Sequence, residues 1–252
     1  MTVSLLGAIR TARGVARSLQ IYYGDRGRRP ALAAFYARFL EAGDLAFDIG
    51  AHVGDRIAAF RRLGARVVAV EPQPALVRTL KLIYGRDPAV VIEPLALADK
   101  PGVIELRLNI DNPTVSTASL DFISAASRSR GWEGQTWTRA VRVSATTLDA
   151  MVARHGLPVF VKIDVEGFEA EVLEGLTQPV RALSFEFTTI QRAVALAAIR
   201  RCMTLGYRRF NAALGENLRL VHEDWLDGEG IAMWISGLPQ DANSGDVYAT
   251  HL

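Results

Sequence analysis

The chain has 252 residues, 50% of them hydrophobic and 22% charged, which suits a packed core and excludes a disordered chain. Its one cysteine, Cys202, excludes an intrachain disulfide and a cysteine-rich zinc site, and no run approaches the ~20 uninterrupted apolar residues of a membrane span. The formal net charge of +2 is unevenly spread: residues 1–40 hold seven arginines (at 10, 13, 17, 26, 28, 29 and 38) against Asp25, and the remaining residues hold 22 basic and 26 acidic groups.

Residues 4–40 read as helices interrupted near "YYGDRGRRP", where glycines and Pro30 break the pattern. A basic arm of this kind suits nucleic acid or an anionic membrane surface. It also suits an arginine-rich amphipathic helix packed on a domain edge, the plainer reading and the one preferred. Nucleic acid is not the partner expected, and peripheral membrane contact stays open. The opening "MTVSLLGAIRTARGVARSLQ" is Arg-rich and acid-poor in the manner of a transit peptide. It lacks the positive start and long apolar stretch of a secretory signal, so a cytoplasmic location is expected. The expected division is a basic helical extension over 1–40 and one α/β domain over 41–252.

From residue 45 the pattern alternates. "LAFDIG" (45–50) is a strand, and "DRIAAFRRLG" (55–64) carries Ile57, Phe60 and Leu63 on one helical face with Gly64 as a stop. "RVVAVEP" (66–72) is a second strand and "PALVRTLKLIYG" (74–85) a second helix. "AVVIEPLAL" (89–97) is a third strand, bent or placed at an edge by Pro94, and "GVIELRLN" (102–109) is extended. Residues 110–139, rich in Ser, Thr, Asn and Gly, break the pattern; a segment this long is usually functional or mobile. "TTLDAMVARHG" (146–156) is a helix, "VFVKIDV" (159–165) a strand, "FEAEVLEGL" (168–176) a helix, and "RALSFEF" (181–187) a strand. A helix follows from about Ile190 to Leu205, with Cys202 as a small core residue. "YRRFNAAL" and "IAMWISG" are expected to supply the last strands. Alternating strands and helices predict one open, mostly parallel sheet covered on both faces. Its ligand belongs beyond the carboxyl ends of the strands, at the turn that follows the first.

That turn is "AFDIGAHVGD" (46–55). Asp48, Gly50 and Gly54 do not make a dinucleotide fingerprint, because His52 stands where a second glycine would let a pyrophosphate approach. No G-K-[ST] ending marks a triphosphate loop either. Asp48 repels phosphate and suits an ammonium group. Glu71 closes the second strand 21 residues after Gly50, where a carboxylate accepts hydrogen bonds from a ribose diol. A ribose, a cation and no phosphate together describe S-adenosylmethionine. A helix cap at Asp48 and a solvated strand end at Glu71 are the plainer alternative. In "VKIDVEGFEAEVLEGL" the period of two puts Lys162, Asp164 and Glu166 on one strand face. Three charges on a buried strand are costly unless paired or used. Lys162 reads as a salt-bridge partner for a carboxylate, and Glu169 and Glu171 as acids that complement a helix dipole.

"FDIGAHVGD", "VVAVEPQP", "ALADKPG", "TTLDAMV" and "VFVKIDVEGFEAEVLEGL" occur in the order and at about the spacing of the FkbM-type methyltransferase family, which the chain resembles over roughly residues 44–190. The resemblance implies a class I, Rossmann-like S-adenosylmethionine-dependent fold: a seven-stranded, mostly parallel sheet with an antiparallel last strand. It implies methylation of hydroxyl groups on small molecules, sugars or polyketides. Asp48, Gly50 and Gly54, with Ala51, would line the methionine part; Glu71, beside Pro72, would hold the ribose. Ala96 and Leu97 would flank the adenine, and Asp164 would lie near the methyl donor. Many members carry Asn where this chain has His52, which would bind the methionine carboxylate, assist the acceptor, or fill space.

A hydroxyl acceptor must lose its proton as the new bond forms, and a placed base typically contributes ~10²–10⁴-fold. Glu166, Asp164 and His52 are the candidates, with Glu166 favoured. Asp164 and Glu166 would also suit a divalent cation, but with no third ligand in view no metal is assigned. The tryptophans of the 110–139 segment, Trp132 and Trp137, with Thr114, Ser116 and Thr117, suit a sugar face; rings packed beneath a surface excursion suit them equally. Two other functions are weighed: an NAD-dependent oxidoreductase, disfavoured by His52, and a methyltransferase-like ligand-binding or scaffold protein without turnover. The acceptor's identity and the oligomeric state are not legible.

Overall fold

The computed structural model describes residues 5–251. In chain order its elements are α1 (Leu5–Gly24), α2 (Arg28–Tyr36), β1 (Leu45–Ile49), α3 (Asp55–Arg62), β2 (Arg66–Val70), α4 (Pro74–Tyr84), β3 (Val90–Glu93), β4 (Ala96–Leu97), β5 (Gly102–Leu108), α5 (Leu120–Ala126), β6 (Arg139–Thr146), α6 (Leu148–His155), β7 (Phe160–Ile163), α7 (Glu169–Glu174), β8 (Ala182–Thr188), α8 (Arg192–Thr204), β9 (Arg209–Leu214), α9 (Gly228–Gly237) and β10 (Ser244–Thr250). Seven strands form one sheet in the order β3-β2-β1-β7-β8-β10-β9. Only β10 runs antiparallel to its neighbours, β8 and β9. This is the α/β, class I methyltransferase arrangement that the resemblance implied.

The central strands β1 and β7 are buried on both faces and therefore read as nearly continuous apolar runs. Two cores form, one on each side of the sheet. On one side Phe47, Ile49, Ile163 and Phe185 meet Met151 of α6, Leu173 of α7, Ile199 and Cys202 of α8, and Ile231 and Ile235 of α9. On the other, Ala46, Val67 and Phe160 meet α2, α3 and α4. There Tyr36 of α2 packs edge-on against Phe60 at 4.9 Å, and Phe39 stacks on Tyr248 at 5.4 Å. Helix α1 lies on the edge of the domain with Gly14 and Ser18 buried, as preferred for the arginine-rich arm. Its Arg10 pairs with Asp111. Leu5, Leu6 and Ile9 face outward. Among the described residues no helix is long and apolar enough to cross a membrane.

Three expectations are corrected. The run 231–237 is the core of α9 and not a strand: Ile231 and Ile235 are four apart on one buried face, and Asp227 caps the helix by accepting from Gly230 N at 2.7 Å. The strand expected there is β10, over residues 244–250. The single bent strand 89–97 divides at Pro94 into β3, in the main sheet, and β4, in a separate three-stranded sheet of order β4-β6-β5. The 110–139 segment holds α5, capped by Ser119 accepting from Phe122 N at 3.1 Å, and β6 follows where no strand was expected.

Candidate active site

The chain order reverses direction across the sheet between β1 and β7, and the cavity lies at their carboxyl ends, as open α/β sheets favour. Backbone bonds hold these ends together: Asp164 N donates to Ile49 O at 2.9 Å, and Gly50 N donates to Val70 O at 2.9 Å. Gly50 (φ +83°) sits against the Asp164 carbonyl where a Cβ would collide, so the two strand ends meet only with glycine here. The cavity is lined by Asp48, Gly50, Ala51, His52, Glu71, Pro72, Ala96, Leu97, Asp164 and Glu166. It thus brings together every residue expected at the cofactor or the chemistry except Gly54. That residue (φ +87°) turns the chain into α3, and a Cβ there would lie 2.6 Å from the Tyr84 ring.

Asp48 is 3% exposed, and its Oδ2 has no hydrogen-bond partner. Burial, reinforced by the charge of Asp55, pushes its carboxyl up to about 7 even though Arg56 and Lys162 act in the opposite sense. A buried acid without a donor is the feature an incoming ammonium would satisfy. Glu71, equally buried, accepts Gln73 N at 2.7 Å through Oε1 and His52 N at 2.9 Å through Oε2. Burial still pushes it up to about 8. Each oxygen keeps a lone pair for a diol. The buried groups therefore fit the amino and ribose groups of S-adenosylmethionine.

His52 has φ +50°, meets the edge of Tyr22 at 5.2 Å, and has Nε2 3.4 Å from Thr114 Oγ1. Burial pushes its imidazole down to about 4, so it is neutral at pH 7. Lys162, 1% exposed, is the salt-bridge partner expected, with Nζ 2.9 Å from Asp164 Oδ2 and 3.0 Å from Asp246 Oδ1. Burial opposes the charge on Asp164, but Lys162 and Arg56 outweigh it and keep this carboxylate below its usual range.

The alternation expected through Glu166 does not hold. Strand β7 ends at Ile163, and the chain turns through Glu166 (φ +57°) and Gly167 (φ +88°). Glu169 holds that turn, accepting from Val165 N and Gly167 N at 3.1 Å, which makes it structural as expected. Thr117 Oγ1 donates to the Glu166 carbonyl at 2.7 Å. The Glu166 side chain is 6% exposed, and burial, Asp164 and Glu169 push its carboxyl well up.

Four contributors lay outside the sequence reading. Glu186 of β8 places a carboxylate oxygen within 4.8 Å of oxygens of Asp164 and Glu166. Tyr22 of α1 and Glu216, after β9, line the cavity. Asp246 of β10 shares Lys162. An acid inside the apolar run "SFEF" was the available signal for Glu186, by the same logic that singled out Asp164. Arg28 and Arg56 each pair with both Asp55 and Glu216 at 2.6–3.0 Å, tying α2, α3 and the segment after β9 together beside the cavity. Thr114 and Ser116 line the cavity. Trp132 and Trp137 instead pack edge-on against Phe122, and Trp137 Nε1 donates to Val115 O at 2.7 Å, so these rings brace the segment from beneath.

Comparison with known proteins bears on the same residues. The family described as Methyltransferase FkbM domain matches residues 48–215. The hexuronic acid methyltransferase AglP of Haloferax volcanii is 26% identical over 156 residues, covering 61% of this chain and 59% of AglP. Among solved structures, Aeropyrum pernix fibrillarin with natively bound S-adenosyl-L-methionine is 13% identical over 87% of this chain and 74% of that one, with a TM-score of 0.43. A methyltransferase from Geobacter sulfurreducens is 13% identical over 100% and 91%, with a TM-score of 0.42. The family match runs from Asp48 through the turn, Glu71 and the Asp164–Glu166 corner that build the cavity; the chain belongs to the FkbM methyltransferase family, and its cofactor is S-adenosylmethionine.

Proposed function

We propose that the chain is an O-methyltransferase acting on a hydroxyl of a small molecule or sugar, with Asp48, Gly50, Ala51, Glu71, Pro72, Ala96 and Leu97 holding the cofactor. The bound cofactor supplies a methyl group already activated on a sulfonium. The protein is left to position the acceptor, exclude water and take a proton; positioning alone can be worth ~7–11 kcal/mol in favourable cases. The observation that carries the reading is Glu166. Its buried carboxyl lies beside Asp164 at the open end of β7, and among the described residues no hydrogen bond or ion pair reaches it. Asp164, held by Lys162, keeps its charge and suits the side of the sulfonium.

Glu166 is then the proton acceptor, an assignment that fits a hydroxyl, which must be deprotonated as it reacts. A bound sulfonium would draw the Glu166 pKa down from its raised value in the free site, leaving a carboxylate of adequate basicity. His52 serves better as a neutral neighbour of the acceptor than as the base, given its low pKa. The likeness to a hexuronic acid methyltransferase supports a sugar among the acceptors. The experiment is transfer of labelled methyl groups from S-adenosylmethionine to a panel of hydroxylated sugars and small molecules, with product linkage read by mass spectrometry and NMR. Methylation of amines or thiols alone would overturn the assignment.

A further inference from the structure

Asp164, Glu166 and Glu186 come from the ends of two adjacent strands, and each offers an oxygen within 4.8 Å of the other two. Two more buried acids, Glu169 and Asp246, stand nearby. Against these, Lys162 is the cation that faces both Glu166 and Glu186, and it is already shared between Asp164 and Asp246. A group of acids by itself is an ordinary surface feature. This one is accompanied by buried oxygens that have no donor. Glu166, 6% exposed as a residue, has a carboxyl that no hydrogen bond or ion pair reaches among the described residues, and it opens on the cofactor cavity. Ser184 Oγ, on a fully buried residue, is also unpartnered, and it lies two residues before Glu186 on the same face of β8, opposite Lys162. Gln191 Oε1, unpartnered too, lines a small cavity together with Glu186. Buried acceptors are normally satisfied. Here an unsatisfied buried oxygen, Ser184 Oγ, shares the Glu186 face of β8, and Gln191 Oε1 borders Glu186 from the small cavity, beside three carboxyls whose one shared cation among the described residues is Lys162.

We propose that Asp164 and Glu166, which line the cofactor cavity, and Glu186, which reaches them from β8, form a binding site for one divalent cation. Three carboxylate donors with no sulfur or imidazole among them select a hard ion such as Mg²⁺, Mn²⁺ or Ca²⁺. Three protein ligands leave coordination positions for water and for the acceptor oxygen. This deepens the O-methyltransferase reading and rests on it for the acceptor. The cation takes the hydroxyl oxygen, one oxygen of Glu166 ligates, and the other receives the hydroxyl proton. The oxygen's electron pair forms the new C–O bond as the C–S bond breaks, and the neutral thioether leaves with that pair.

The test needs no acceptor, so its failure is separate from failure of the methylation reading. Mn²⁺ is titrated into the full chain with S-adenosylhomocysteine present, and free ion is followed by electron paramagnetic resonance. The expected result is one equivalent bound at tens of micromolar or tighter, with Glu186→Gln weakening Mn²⁺ binding at least ~10-fold while calorimetric affinity for S-adenosylhomocysteine stays within ~2-fold. A second readout is independent of any variant. With S-adenosylmethionine carrying a ¹³C methyl group, bound Mn²⁺ should broaden the methyl NMR signal. No saturable Mn²⁺ site below 1 mM, unchanged Mn²⁺ affinity in Glu186→Gln, or a bound ion that leaves the methyl signal sharp would each overturn the proposal.

Discussion

Replacing Asp48 by Asn should stabilise the ligand-free protein while removing its affinity for the cofactor. In the free site Asp48 is 3% exposed, Oδ2 lacks a partner, and burial raises its pKa from 3.8 to about 7. An acid raised in this way opposes folding wherever the unfolded chain would be ionised. The cost is absent below pH ~4, grows between pH ~4 and ~7, and is complete above that. At ~1.4 kcal/mol per tenfold change in the proton equilibrium, the full cost is about 4 kcal/mol. Asn keeps the shape and loses the charge, but its amide still needs partners, so a net gain of roughly 2–4 kcal/mol at pH 8 is expected. For a chain of this size that is an increase of roughly 5–10 °C in Tm. Thermal denaturation of both proteins from pH 4 to 8.5 measures it, and the gain should vanish toward pH 4. With S-adenosylhomocysteine added, the wild type should gain stability and Asp48→Asn should not, because the ammonium loses its carboxylate. A variant less stable than wild type at pH 8, or one that keeps its cofactor affinity, would refute the reasoning.

Glu71→Ala removes the group that accepts from His52 N and Gln73 N and is assigned to the ribose. Calorimetry should show S-adenosylmethionine binding weakened by roughly 1.5–3 kcal/mol, and an unchanged affinity would take Glu71 out of the site. Glu166→Gln should lower turnover of a hydroxyl acceptor by ~10²-fold or more with cofactor affinity nearly intact, as steady-state kinetics beside calorimetry will show; full activity would move attention to His52. Deleting residues 1–28 should lower Tm and also weaken S-adenosylhomocysteine binding. Tyr22 packs on His52, and Tyr23 OH donates to Val53 O at 2.9 Å within the cofactor turn. Unchanged affinity would make α1 a cap and nothing more. The outward Leu5, Leu6 and Ile9 beside exposed Arg13 and Arg17 lead us to expect salt-sensitive binding of the full chain to anionic vesicles, measured by co-sedimentation at 50 and 300 mM salt. Equal binding at both salts, or none at 50 mM, would remove the electrostatic contact.

The parts of the fold and site whose physics is local are legible in the amino-acid pattern alone. Strands β1 and β7 declare themselves because both faces are buried, so their apolar runs are continuous. The glycine turn and the "KIDVEG" corner follow because a close backbone approach and a charge at a buried strand end each leave a chemical mark within a few residues. The salt-bridge role of Lys162 could be read the same way, since a lysine inside an apolar strand requires a nearby carboxylate. Tertiary structure decided the rest. Residues 231–237 are apolar enough for a strand or a helix, and the packing of Ile231 and Ile235 against the β-sheet settled the matter in favour of α9. Strand β10 was hidden because its local composition, "SGDVYAT", is weak for a strand, and it becomes one by pairing with β8 and β9 on either side. Tyr22 and Glu216 reach the cavity, and Glu186 and Asp246 reach Asp164, Glu166 and Lys162 at its edge, from segments far apart in the chain. Which distant acid meets which depends on strand order and register, and those are set by the burial of the whole sheet, which no short window of sequence contains.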